Sequence, residues 1–257
     1  MTSSKDTEST WIELSDDNET DWLASFKICQ RAFQNDPLYI YTHPDPDIRQ
    51  KFLAVYYEYL YPAIFKDGRG FLALIKTRKA DKVKIVGATA CSMEEDEDLA
   101  KKAFSRFADI DGEGWKRHQK HDEWEMETYV GKMYDLADEF GMKIIYGDFL
   151  VIDDECRGGS IGTMFADKGI QLLMEAARRR LQLSGVDKQP MWFGVCDHPT
   201  SRNFSRKIGL IEVAQLRTNK PCDSKKEILY LWIFLHPSLP ASYIEAARRK
   251  FRYSANL

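Results

Sequence analysis

The sequence predicts an α/β fold: a mixed, mostly antiparallel sheet with one parallel strand–helix–strand pair, and helices on both faces. Three observations predict it. The apolar run "MKIIYGDFLVI" (142–152) suits a strand buried in the middle of a sheet. A helical pattern over 160–182 and a second apolar strand, "PMWFGVC" (190–196), follow it, so the two strands run parallel through a right-handed crossover. Further strands before and after this unit pair as hairpins and supply antiparallel neighbours.

Each element has its own signal. Residues 1–10 are polar and are expected to be disordered, with a single domain over 11–237 and a C-terminal helix or tail over 238–257. "WIEL" (11–14) is a short strand. "SDDNETDWLASFKICQRAF" places acidic and capping residues ahead of an apolar stripe, Trp22, Phe26, Cys29 and Phe33, as a helix start requires. "NDP" (35–37) stops that helix. Residues 47–65 form a second helix, interrupted near Pro62 and rich in aromatics from Phe52 to Phe65. Aromatics at helical spacing are core residues first, and tyrosines such as Tyr56 and Tyr59 also suit the wall of a substrate pocket. "GFLALIKT" (70–77) and "KVKIVGATACSM" (82–93) form a hairpin.

Residues 94–141 read as a helical elaboration: a helix, a glycine turn, then a long charged helix from Trp115 to Phe140. Met126, Val130, Met133, Ala137 and Phe140 mark the inner face of that helix, and its charges read as a solvated face with no chemistry assigned. In the crossover helix Ile161, Phe165, Leu172, Leu173, Ala176 and Ala177 face inward, with Arg178–Arg180 at its negative end. A short helix over 199–209 opens on proline and closes on glycine.

Composition removes several function classes. The 257 residues are 44% hydrophobic with a formal charge of −3, which gives no global attraction to nucleic acid. No apolar run approaches the ~18 residues of a membrane span, and the polar N-terminus has no signal-peptide pattern, so a cytoplasmic protein without membrane partners is expected. Cys29, Cys91, Cys156, Cys196 and Cys222 form no CxxC pair, and His118 with His121 lacks further ligands, so neither a disulfide framework nor a metal site is expected.

The sharpest local feature is "RGGSIG" (157–162), between the central strand and the crossover helix. Free backbone N–H groups and the helix dipole favour an anion there, and the glycines admit a ligand close to the backbone. The expectation is a phosphate or pyrophosphate cradle. Neither GxxxxGK[ST] nor GxGxxG is present, which removes the two common nucleotide-binding readings.

"LVIDDECRGGSIG" resembles the signature of the GNAT superfamily of acyl-CoA-dependent N-acyltransferases, a strand and turn followed by [R/Q]-x-x-G-x-[G/A] at a helix start. "IELSDDNETDWLASFKICQRAF", "KVKIVGATACSM" and "TSRNFSRKIGLIEVA" are similar to that superfamily's first strand and helix, third strand and late helix. The resemblance spans most of 11–235 and is poor over 94–141, which it marks as an insertion.

What the resemblance implies is specific. Acetyl-CoA would lie in a gap beside the central strand, with Leu150, Val151 and Ile152 at the thioester and pantetheine. Arg157, Gly158, Gly159, Ser160, Ile161, Gly162 and Thr163 would hold the pyrophosphate. The acceptor would be a primary amine, most readily of a small molecule with an apolar body beside Tyr56 and Tyr59. A general base is needed because an alkylammonium has a pKa near ~10.4. Asp148 is the first candidate, then Asp153 and Asp154, and a backbone N–H near Ile152 would hold the oxyanion. Ser205 stands where relatives carry a tyrosine acid, so Tyr146 or water would protonate the thiolate instead. His198 stands where they carry a pantetheine-binding asparagine. Two alternatives remain: a weak or inactive acyl-CoA-binding protein, and a peptide lysine acetyltransferase. The oligomer is left as monomer or homodimer.

Overall fold

The computed structural model describes residues 9–15, 19–79, 82–93, 97–157, 161–217 and 230–252. Its elements run β1 (Ser9–Leu14), α1 (Glu19–Phe33), α2 (Pro37–Thr42), α3 (Pro46–Leu60), β2 (Gly70–Lys79), β3 (Lys82–Ser92), α4 (Glu97–Glu125) and α5 (Gly131–Glu139). They continue with β4 (Met142–Ile152), α6 (Ile161–Leu183), β5 (Gln189–Cys196), α7 (Pro199–Lys207), β6 (Ile211–Arg217), β7 (Tyr230–Leu235) and α8 (Ala241–Arg252). The strands form one seven-stranded sheet in the order β1-β2-β3-β4-β5-β7-β6. Only β4 and β5 pair in parallel among the described strands; the remaining neighbours are antiparallel, as the sequence predicts.

The sheet carries helices on both faces. One face packs α1 and α3 over β2, β3 and the far half of β4, through Trp22, Phe26, Phe52, Phe65, Phe149 and Val151. Beyond it on the same face, α5 and α8 cover Ile144, Met191, Phe193 and Ile233. The opposite face packs α6 against Ile145, Trp192 and Phe234. These buried side chains supply most of the driving force, at roughly 25 cal/mol per Å² removed from water.

A bulge in β4 explains why residues of both parities reach one face. Ala90 pairs with Phe149 and Cys91 with Gly147, so Asp148 is the extra residue. Side chains alternate across a strand, and one inserted residue shifts that alternation. Before the bulge Ile144 joins the α5–α8 core; after it Phe149 and Val151 join the α1–α3 core.

Four expectations change. β1 begins at Ser9, so the two last residues of the segment read as disordered are strand; residues 1–8 lie outside the described residues. "NDP" does stop α1, but it also starts α2: Asp36 Oδ1 accepts from Leu38 N at 2.9 Å and Pro37 takes the first helical position. The interruption at Pro62 is a π-turn over Tyr61–Phe65 that continues α3 rather than ending it. Met126, expected on an inner face, is 54% exposed. A π-turn over Met126–Val130 inserts a residue there, and the buried stripe passes through Tyr129, Met133, Leu136 and Ala137 instead.

The glycine turn expected near 112–114 is a kink inside α4. Asp111 leaves helical geometry (φ −156°, ψ 90°), and its Oδ1 accepts from Gly114 N at 3.0 Å, capping the second half. Gly114 is needed because a Cβ there would lie 2.6 Å from His43 Cδ2. The kink is locked to the loop after α2: Arg117 Nε donates to Thr42 O at 2.9 Å, and Arg49 Nη1 donates to His43 O at 2.7 Å. This lock sets where the second half of α4 stands. No helix among the described residues is long and apolar enough to cross a membrane.

Candidate active site

The parallel pairing of β4 with β5 ends at Tyr146↔Phe193. β4 then stays with β3 as far as Ile152↔Gly87, and β5 stays with β7 as far as Cys196↔Trp232. Each strand thus follows its outer neighbour, and the sheet forks between them. Along the inner edges of the fork neither strand has a ladder partner among the described residues. Such an edge is a template for an added extended segment.

Asp148 sits at the fork because of the bulge, half-buried, with Oδ1 accepting from Ser92 Oγ at 3.0 Å. A cavity of about 210 Å³ opens beside it, at the seam between the two cores of that sheet face. Tyr146, Asp148 and Phe149 of β4 line it, with Val195 and Cys196 of β5 and the adjacent Asp197. Tyr56 and Tyr57 of α3 form its aromatic wall together with Tyr39 of α2. The second half of α4 closes it with His118, His121, Asp122 and Glu125.

The cavity wall is electronegative. Burial raises the Tyr146 hydroxyl well above its usual range, and the charges of Glu125 and Asp148 push it further. Burial, then Tyr146 and Glu125, raise Tyr129 behind it. Burial, then Tyr56, Asp36 and Asp122, raise Tyr39. Cys196 is pushed up to about 12 by burial and Asp197. These tyrosines and this thiol therefore stay protonated near neutral pH, as donors rather than bases. His121 Nε2 lies 3.2 Å from Glu125 Oε1, and His118 Nε2 lies 3.7 Å from Asp122 Oδ1.

The site residues expected from sequence divide into three groups. Asp148, Tyr146 and Tyr56 line one cavity. Leu150, Val151 and Ile152 follow on the fork strand; Ile152 packs beside Phe165 of α6, and Thr163 is half-buried in the first turn of α6. Gly162 is buried at the start of α6, where a Cβ would come within 2.8 Å of Ile152 Cδ1. Arg157 is exposed, with Nε donating to Ile152 O at 3.2 Å and Nη1 2.8 Å from Asp154. Gly158, Gly159 and Ser160, the centre of the expected cradle, lie outside the described residues, as does the Ile161 side chain.

The others stand elsewhere. Tyr59 is absent from the cavity wall: one turn further along α3 than Tyr56, it is buried under α4, edge-on to Phe107 at 5.6 Å. Tyr57, its neighbour, lines the cavity in its place. Ser205 is half-buried on α7 and does not line the cavity. His198 caps α7, its Nδ1 accepting from Thr200 N at 3.2 Å. Asp153, a reserve candidate for the base, is buried between Arg31 at 3.1 Å and Lys84 at 3.5 Å, a structural ion-pair cluster.

Sequence reasoning missed the α4 contribution. His118, His121, Asp122 and Glu125 follow an i, i+3, i+4, i+7 pattern that marks one helix face. Their polarity made that face look solvated, whereas it lines a cavity.

No protein-family model matches the chain, and no curated protein matches it. Solved structures do. The single seven-stranded mixed sheet with its parallel β4–β5 pair and flanking helices matches the GNAT-type fold. The mosquito arylalkylamine N-acetyltransferase like 5b superposes with a TM-score of 0.51 at 14% identity, covering 89% of this chain and 100% of that one. A Drosophila melanogaster polyamine N-acetyltransferase that forms N-acetylagmatine gives 0.47 at 18% identity, over 89% and 99% of the two chains. An acetyltransferase from Salmonella typhimurium, solved with acetyl-CoA, gives 0.45 at 12% identity, over 90% and 98%.

Proposed function

We propose that the protein is an N-acetyltransferase that moves the acetyl group of acetyl-CoA to a primary amine of a small molecule, by direct attack in a ternary complex. The observation that carries this reading is the fork between β4 and β5 with the Asp148 bulge at its mouth, opening onto a tyrosine- and carboxylate-lined cavity. In the proposal the pantetheine arm pairs along Leu150–Ile152, and the pyrophosphate sits at "RGGSIG" and the start of α6, with Arg157 adding charge. The amine enters the cavity as an ammonium beside Tyr56. Asp148 takes one of its protons, and the freed lone pair forms the C–N bond at the thioester carbonyl. A backbone N–H near Ile152 holds the oxyanion. The C–S bond then breaks. Tyr146, kept protonated by its surroundings, hydrogen-bonds the leaving sulfur, and the proton that the acylated nitrogen still carries in excess passes through water to the thiolate, leaving the neutral amide and the CoA thiol. The aromatic wall and the mosquito arylalkylamine enzyme both favour an acceptor with an apolar body. A cytoplasmic location is part of the same reading.

The test is release of the CoA thiol from acetyl-CoA across a panel of amines, with the acetylated product identified by mass. Saturable, amine-dependent release is expected. A second reading, an acyl-CoA-binding protein without turnover, is favoured by Ser205 at the usual acid position and by His198 serving as a helix cap. Acetyl-CoA binding with no release on any amine would establish that reading and overturn the first.

A further inference from the structure

The fork opens on two glycines that stand side by side. Ile145 pairs with Trp192 and Tyr146 with Phe193, the last rung of the parallel ladder. Side chains alternate across a strand, and Ile145 and Trp192 share the core under α6. The next positions on that face are therefore Gly147 of β4 and Gly194 of β5. One side chain fills both of them. A Cβ on Gly147 would lie 2.7 Å from Trp192 Cζ2, and a Cβ on Gly194 would lie 2.7 Å from Trp192 Cη2. The buried indole thus lies across the vertex of the fork, from strand to strand. Its Nε1 is on the Gly147 side and has no hydrogen-bond partner among the described residues, although a buried indole N–H ordinarily finds one. Core packing alone is a poor reason for two strand-interior glycines and an unpaired donor, since each weakens the fold.

We propose that Trp192 closes the acyl subsite on the α6 side and restricts the donor to a short acyl group. An extended donor arm laid along the inner edges of the fork stops where the ladder closes, at Tyr146 and Phe193. One face of that vertex is the acceptor cavity, lined by Tyr146, Asp148 and Val195. The other face is the Trp192 ring. An acetyl group fits between the amine and the ring. The further methylenes of a butanoyl or hexanoyl chain meet the indole or occupy the place of the amine. The unpaired Nε1–H gives the vertex a donor for an acceptor atom of the arm, which apolar methylenes would leave unmatched. The inference rests on acetyl-CoA lying in the fork and adds the residue that selects the acyl chain.

The full chain would be assayed with acetyl-, butanoyl- and hexanoyl-CoA on one amine that it acetylates. The parent protein is expected to favour acetyl-CoA over hexanoyl-CoA by about tenfold or more in kcat/KM, the discrimination that misplaced methylenes give in an apolar site. Trp192→Leu should cut that ratio by about tenfold, through better use of hexanoyl-CoA and not only through loss on acetyl-CoA. Trp192→Phe keeps a ring in the core but lacks the Cζ2 and Cη2 atoms that lie against the two glycines. It should give an intermediate ratio, and it carries the test should the leucine variant fail to fold. Equal or better use of hexanoyl-CoA by the parent, a measurement that needs no variant, would overturn the closed subsite while leaving acetyl transfer intact. A ratio unchanged in a folded variant would overturn the assignment to Trp192. Binding of acyl-CoA without transfer from any donor to any amine would overturn the acetyl-transfer reading and this inference with it.

Discussion

Replacing Asp148 with asparagine is expected to lower kcat by about 10²–10⁴-fold near neutral pH, the range for loss of a positioned general base. Asparagine keeps the oxygen that accepts from Ser92 Oγ, so the bulge and the fork should persist and the melting temperature should change little. The deficit should shrink as the pH rises toward ~10, because an alkylamine then sheds its own proton and needs no base. A pH series of kcat for both proteins checks this. A deficit that is constant across pH would assign Asp148 a positioning role, and no deficit would remove it from the chemistry.

Acidification is expected to destabilise the fold by about 3 kcal/mol through His43 alone. This imidazole is fully buried, stacked on Phe52 at 3.9 Å, with Nδ1 2.9 Å from Thr42 Oγ1. Burial lowers its pKa from 6.5 to about 4, opposed by Asp111 and reinforced by Arg117 and Arg49. Its folded value is depressed, so between those limits the unfolded chain binds a proton that the folded chain does not. The stabilisation is therefore complete above pH 6.5 and is lost as the pH falls toward 4. His236, also lowered by burial, adds in the same direction. Denaturant unfolding at several pH values checks the slope, which should flatten in His43→Gln. The same loss has a functional side. His43 belongs to the lock among Thr42, Arg49, Arg117 and Gly114 that sets the second half of α4, and that helix forms the acidic wall of the cavity.

The scaffold was legible because its signals are local. The apolar run of β4, the crossover helix and β5 each show the period of their own secondary structure, and short connections leave few ways to join them. Asp148 and Tyr146 were legible because they lie on that strand. The bulge was not, since it depends on which residue of β3 faces which of β4. The α4 wall was hidden for a different reason. His118, His121, Asp122 and Glu125 look like surface until the kink at Asp111 and the π-turn at Met126–Val130 bring that face over the fork. The place of Tyr59 is hidden because it shares a helix face with Tyr56 and both rings touch Phe107, so only the tertiary packing under α4 separates the buried ring from the one that lines the cavity.

The central claim is that acetyl-CoA lies in the fork between β4 and β5 with its phosphates at the start of α6. Hydrogen–deuterium exchange with and without saturating acetyl-CoA tests it most directly. Protection is expected over Phe149–Ile152 and in the first turn of α6, with α8 unchanged as the internal reference. No protection at saturation, or protection confined to elements away from the fork, would contradict it.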